Sequence, residues 1–395
     1  MAAMAADTIG SEPPAPTAGT LPLVAIFPFI SKGHTIPLLH LARLLHRRRL
    51  ATFTFFTTPL NAPFIRASLN DLLPPPAVVE LPFSRDAPGL SPGVESTGQL
   101  PSMSDFNAFC RATERLREPF KRALAALQPP AAFLVSDSFH FLTVDSAAAF
   151  GIPRLVFDGM GWFVQTVSTL VGVGMPHAGL ISNVKPFQVP GFPQIWLTKA
   201  DFPPPLDDPD SHGLEKDFPL EVIEATAKSR GIIRNSFHDM EAAFSEHWNR
   251  HFPIKGWSVG PLCLAAVALE AGGGGARPRS PAVVGGWETW RLQSEDGRHG
   301  ELSVTARRVM EHGGSSWCSL EEMVKEVCGK KELRRILIHI GSKLVTSSRS
   351  GSDLDLLVSD PVNYDVHISQ VPKRPSLVLI GCRFSVSDEC LSDIT

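Results

Sequence analysis

Leu23-Val-Ala-Ile-Phe-Pro-Phe-Ile-Ser-Lys-Gly-His-Thr-Ile-Pro37, followed by an amphipathic run to Arg49, decides the fold. It reads as a buried strand from Leu23 to Ile30, a tight loop from Ser31 to His34, and then a helix. Thr35 is the expected N-cap, Pro37 suits a first helical turn, and Leu38, Leu41, Ala42 and Leu45 recur on one helical face. Gly33 is read as the residue that lets the chain turn sharply, leaving His34 at the carboxyl end of the strand beside the helix N-terminus. Ligands of open α/β sheets bind at that end. An imidazole there can lose its proton near neutral pH and act as a general base.

The rest of the first 260 residues alternates in the same way. Ala51–Thr57 is β-branched and aromatic, Pro59–Leu69 a short helix, Ala77–Pro82 a third strand and Ser104–Leu127 a long helical stretch. Ala131–Ser136 is a fourth strand ending at Asp137, Phe141–Phe150 is helical, and Pro153–Phe157 is a fifth strand. Strands and helices at this spacing predict a doubly wound parallel sheet with helices on both faces. In the order 3-2-1-4-5 the first and fourth strands are neighbours, so His34 and Asp137 should meet where the order reverses. A carboxylate bonded to an imidazole fixes its tautomer and stabilises the imidazolium formed on proton abstraction. Taken as single residues, His34 is better read as closing a loop and Asp137 as an N-cap; the surrounding sequence shifts that weighting.

At 395 residues and 43% hydrophobic, the chain can bury a large core and should form two domains of ordinary size. A formal charge of −3 without long Lys or Arg runs argues against a nucleic-acid surface. Arg47-Arg48-Arg49 falls at a predicted helix end, where cations favour the dipole. The six cysteines are scattered without C-x-x-C spacing, so neither a disulfide framework nor a zinc site is indicated, and a reducing, cytoplasmic setting is expected. Residues 1–20 lack the basic start and apolar core of a signal peptide and read as a disordered tail. Leu21–Ile30 and Trp162–Met175 are both shorter than the ~20 apolar residues of a membrane span.

Four longer words follow one another: FPFISKGHTIPLLHLARLL (27–45), LVSDSFHFLTVDSAAAFGIPRLVF (134–157), GFPQIWLTKADFPPPLDD (191–208) and GIIRNSFHDMEAAFSEHWNR (231–250), closing with WSVGPLCLA (257–265). Together they resemble the acceptor-binding half of plant UDP-dependent glycosyltransferases, over Leu21 to Leu264. The resemblance implies a Rossmann-like domain that is the first half of a two-domain GT-B fold. It implies inverting transfer of a hexose, glucose foremost, from a UDP-sugar to a hydroxyl of a small lipophilic acceptor such as a flavonoid. The base and its orienting carboxylate map onto His34 and Asp137, and Ser31, Gly33 and Trp162 are the candidate acceptor contacts. UDP-sugar is a co-substrate; neither metal nor cofactor is implied.

The resemblance then breaks. The donor box of the family, opening with W-x-x-Q and containing H-C-G-W-N-S, does not appear; Trp290-Arg-Leu-Gln293 matches its first four positions and nothing after. Residues 261–300 read as a Gly/Ala/Pro-rich linker containing Gly272–Gly275. VTARRVMEHGGSSWCSLEEMVKEV (304–327) resembles the helical segment near the family's C-terminus, with Ser316 a candidate N-cap and Leu320, Met323, Val324 and Val327 an apolar packing stripe. The chain thus divides into a tail (1–20), an acceptor domain (21–260), a linker (261–300), a C-terminal remnant (301–331) and an unassigned tail (332–395). It reads as a form from which the donor domain has been excised, inactive or mis-spliced, with an apolar domain edge left exposed. Two alternatives stay open: a non-catalytic acceptor- or partner-binding remnant, and a nucleotidyltransferase-like tail built on Gly341-Ser342 with Asp353 and Asp355.

Overall fold

The computed structural model describes residues 21–83, 89–202, 214–264 and 297–329. The expectations for residues 1–20, Gly272–Gly275, Trp290, Asp353, Asp355 and the tail from 332 lie outside the described residues.

Among the described residues there are nine strands: β1 (Leu23–Phe27), β2 (Thr52–Thr57), β3 (Ala77–Glu80), β4 (Phe133–Asp137), β5 (Arg154–Asp158), β6 (Phe187–Val189), β7 (Phe192–Leu197), β8 (Gly231–Arg234) and β9 (Gly256–Ser258). Seven pair in parallel in the order β3-β2-β1-β4-β5-β8-β9, while β6 and β7 form a separate antiparallel hairpin. The first five follow the expected 3-2-1-4-5 order. The helices are α1 (Lys32–Arg47), α2 (Ala62–Leu69), α3 (Phe106–Thr113), α4 (Arg117–Ala125), α5 (Thr143–Ala149), α6 (Trp162–Gly174), α7 (Leu214–Ala227), α8 (His238–His251), α9 (Gly297–Met310) and α10 (315–329).

Alternation along β1 shows why the sheet is covered on both faces. Val24 and Ile26 share one apolar cluster with Leu38, Leu41 and Leu45 of α1, whereas Ala25 and Phe27 share another with Phe109, Phe120 and Leu124 of α3 and α4. Successive strand side chains point to opposite faces, and a parallel strand buried on both must be apolar throughout.

Two local expectations are corrected. Helix α1 begins at Lys32 rather than after His34: extended Ser31 is its N-cap residue, and the Ser31 carbonyl accepts from the amides of His34 and Thr35. Thr35 is therefore a buried interior residue, its hydroxyl turned back to the Phe29 carbonyl at 3.4 Å. The stretch 104–127 is not one helix but α3 and α4, joined through a 3₁₀ turn at Glu114–Leu116. Pro119, in the first turn of α4, has no amide to carry the α3 ladder across.

Helix α10 belongs to the same core. Leu320 and Met323 are fully buried, with Val324 and Val327 nearly so, in the cluster that holds Trp257, Val259 and Leu262. Arg48 from the end of α1 donates to the Trp317 carbonyl at 3.1 Å and to Glu321 at 2.6 Å, its guanidinium 3.5 Å from the Trp317 ring centroid. Lys255 pairs with Glu322 and Glu326, both at 2.8 Å. Ser316 is no N-cap: it lies inside α10 and donates to the Gly260 carbonyl at 2.5 Å. The apolar stripe of α10 thus covers the cluster around Trp257, Val259 and Leu262. Leu262, read as the start of the linker, is fully buried, and its amide donates to Asn235 Oδ1 at 2.8 Å.

Candidate functional site

The site forms where β1 and β4 end side by side. Phe27 pairs in register with Ser136, so the chain leaves both strands at one edge of the sheet. From β1 it turns through Ser31 into the first turn of α1, carrying His34; from β4 it ends on Asp137. The two side chains meet, with His34 Nδ1 2.8 Å from Asp137 Oδ2. Asp137 is 1% exposed and His34 16%, so the carboxylate is interior and the ring reaches the edge. The other carboxylate oxygen accepts the Phe139 amide at 3.0 Å, which fixes the plane of the group. A hydrogen on Nδ1 aimed at Asp137 puts the lone pair of the neutral ring on Nε2.

Aromatic rings surround the imidazole. Phe29 meets it edge-on at 5.4 Å between centroids, and Phe139 lies at 5.3 Å from it and 5.2 Å from Phe29, so the three rings form one cluster. Phe139 in turn contacts Phe106 at 5.9 Å and Phe218 at 5.6 Å. His140, one residue on, is wholly buried: its Nε2 donates to the Pro28 carbonyl at 3.0 Å, and burial pushes its pKa down to about 4. It is neutral and structural.

His34 behaves differently. Burial lowers its pKa, but the charge and hydrogen bond of Asp137, helped by Asp158, outweigh burial and raise it above 6.5. The folded-state value exceeds the unfolded one, so the pair's contribution to stability is fully present below about pH 6.5 and fades as pH rises through the raised midpoint. We expect an NMR titration of the His34 ring to show a midpoint above 6.5 in the parent chain. In Asp137→Asn it should fall below that value, since burial then acts without the opposing charge. A midpoint indifferent to Asp137→Asn refutes the coupling.

The candidate acceptor contacts are placed as follows. Ser31 is half-buried at the helix entrance and Gly33 is exposed in its first turn. The Gly33 backbone is not left-handed and a methyl group there would meet open space, so the sharp-turn reading is corrected. Trp162 is corrected outright. It is fully buried, donates from Nε1 to Ser258 at 2.8 Å and lies against Trp248, so it offers no surface to a ligand. Its amide and that of Phe163 are held by the Glu241 carboxylate, both at 2.9 Å, which fills the N-terminus of α6 with an internal anion.

Sequence reasoning passed over Phe139, Phe29, Phe106, Phe218 and Glu241. A signal existed for one of them: Phe139 is the aromatic two positions after Asp137. A cavity of about 480 Å³ lies elsewhere, between α8, β9 and α10, beside Glu246, Asn249, Lys255, Trp257, Ser319 and Glu322. It contains neither His34 nor Asp137. Its lining is a mixture of paired cations and anions, and the candidate site is assigned on the buried pair instead. Among the described residues no group of three or more His, Cys, Asp or Glu side chains could hold a metal ion, and no helix is long and apolar enough to cross a membrane.

No protein-family model matches the chain. Among curated proteins it is 40% identical over 286 residues to UDP-glycosyltransferase 90A1 of Arabidopsis thaliana, covering 70% of this chain and 57% of that protein. It is 32% identical over 249 residues to UDP-glucose flavonoid 3-O-glucosyltransferase 7 of Fragaria ananassa, covering 62% and 49%. Among solved structures it resembles Glycyrrhiza uralensis UGT73P12 complexed with glycyrrhetinic acid 3-O-monoglucuronide, with a TM-score of 0.55, 28% identity, and coverage of 62% of this chain and 50% of that one. The chain is thus a homologue of plant UDP-glycosyltransferases with the parallel Rossmann-like sheet of their GT-B fold. It spans about half the length of the curated relatives it matches.

Proposed function

We propose that this chain, a homologue of the plant UDP-dependent glycosyltransferases, carries their acceptor-binding half, with His34 as general base and Asp137 as the group that orients it. The observation that carries the reading is the 2.8 Å contact between His34 Nδ1 and the buried Asp137 carboxylate. In the reaction, an acceptor hydroxyl gives its proton to His34 Nε2 as its oxygen bonds to the anomeric carbon. The bond from that carbon to the UDP oxygen breaks, UDP leaves with the electron pair, and the anomeric configuration inverts. Asp137 stabilises the imidazolium formed. The partly exposed rings of Phe106 and Phe139 beside His34 favour a planar, lipophilic acceptor, a flavonoid-like phenol above all, and UDP-glucose is the proposed donor. A cytoplasmic setting belongs to the same reading; Cys110, Cys263 and Cys318 are free thiols.

Transfer by this chain alone is a separate matter. Its sequence lacks the donor box, and the UDP leaving group needs hydrogen-bond donors aimed at its phosphates. We therefore propose that the chain binds an acceptor and turns over only in traces, whether as an excised form of the enzyme or as a binding remnant. Calorimetry with UDP-glucose should show no saturable heat, while a flavonol should quench tryptophan fluorescence saturably. Tight UDP-glucose binding, or robust transfer lost in His34→Ala, would reveal a donor site and overturn the inactive reading. The nucleotidyltransferase alternative has only the sequence of residues 341–355 behind it.

A further inference from the structure

Arg154 opens β5, yet its side chain is 3% exposed, inside the sheet's helical cover. A buried guanidinium is costly unless its donors are satisfied and its charge is balanced. The donors are satisfied in full. Nε is shared between the hydroxyls of Ser136 and Thr143, both at 2.8 Å. Nη1 donates to the Ala225 carbonyl at 3.2 Å and the Ser229 hydroxyl at 2.6 Å, and Nη2 reaches the carbonyls of Asp137 and His140, each at 3.4 Å. All six acceptors are hydroxyls or carbonyls, so the hydrogen bonds satisfy the donors without neutralising the charge.

The partners have a pattern. Ser136 precedes Asp137 on β4, and Asp137 and His140 bound the short turn whose Phe139 amide holds the Asp137 carboxylate. Ala225 and Ser229 belong to α7 and the turn after it. One side chain thus ties the end of β4 to the start of α5 and to α7. The anion that acts on it is Asp137: burial pulls the Arg154 pKa down to about 9, and the charge of Asp137 opposes that shift.

We propose that Arg154 is a positioning residue for the His34–Asp137 pair, clamping the strand end that carries Asp137. The proposal rests on the reading of His34 as a base, but its test needs neither sugar nor acceptor.

The readout is the tautomer of the neutral His34 ring, read from long-range ¹H–¹⁵N correlations in the full chain, with Arg154→Met and Arg154→Lys as variants. In the parent the ring should carry its hydrogen on Nδ1. In Arg154→Met the Nδ1–H to Nε2–H ratio should fall roughly tenfold, the scale of losing one charge-assisted hydrogen bond. Arg154→Lys, which keeps the charge and loses the fork, should fall between the two. A folded Arg154→Met variant with the parent's tautomer overturns the proposal and leaves the residue a structural tie. If Arg154→Met does not fold, Arg154→Lys decides alone: a lowered Nδ1–H fraction supports the role, and an unchanged spectrum overturns it. Turnover undiminished by His34→Ala once a donor-binding half is supplied would count against His34 as base and leave this result standing; an unchanged tautomer would count against Arg154 and leave the transfer reading standing.

Discussion

His34→Ala is expected to lower kcat by about 10²–10⁴-fold, the usual range for loss of general-base assistance, in a chimera joining residues 21–264 to the donor-binding half of a homologous UDP-glycosyltransferase. The chimera supplies the phosphate-binding groups that this chain's sequence lacks, so the measurement isolates the contribution of the acceptor half. KM for the acceptor should change little. The contacts that would hold a planar acceptor come from Phe106 and Phe139, and alanine at position 34 leaves these rings packed on each other and on buried Phe29. Loss concentrated in kcat marks an interaction made in the transition state rather than uniform binding. Undiminished turnover in the His34→Ala chimera would remove the base from the mechanism. A rise in KM with kcat preserved would make His34 a binding residue instead.

The meeting of His34 and Asp137 was legible because parallel α/β topology is a strong constraint. Once β1 and β4 are read as apolar runs, their adjacency follows from strand order, and residues more than a hundred positions apart meet at one edge. The surroundings were less legible, for physical reasons. Phe29 and Phe139 are indistinguishable by composition from the many core phenylalanines around them, and only three-dimensional placement turns them toward His34. Trp162 shows the opposite error. It was singled out as a ligand contact, yet tertiary packing buries it against Ser258 and Trp248. Arg154 sat unremarked in Pro-Arg-Leu-Val-Phe, where a charged residue opening an apolar strand reads as a solvated strand end. Its acceptors come from β4, α5 and α7, and no spacing rule links them. The N-cap of α1 lies four residues before the expected one because Thr35 looks like a better cap than Ser31; the Ser31 carbonyl, not a side chain, closes the first turn.

Helix α10 yields the second large effect. Leu320→Ala is expected to destabilise the folded chain by about 2–5 kcal/mol, the cost of a cavity at a fully buried leucine. Leu320 lies in one apolar cluster with Leu38 and Leu41 of α1, Phe55 of β2 and Val259 and Leu262 after β9. The segment read as a remnant of a lost domain is therefore a structural layer of the first one. By contrast Glu322→Ala should cost less than about 1 kcal/mol, because its partner Lys255 keeps Glu326 and the pair is open to solvent. The contrast carries the test: burial, not the ring of charges, holds the helix down, and the ion pairs with Arg48, Arg230 and Lys255 set its register. Urea unfolding followed by tryptophan fluorescence should give a much lower midpoint for Leu320→Ala at an unchanged slope, with Trp257, which packs in the same cluster, among the reporters. Equal, small effects of the two substitutions would mean that α10 rests on the sheet without supporting it. The face of Trp257 and Leu262 would then be an unprotected apolar surface, and the aggregation that α10 is expected to prevent should appear in the parent chain as well.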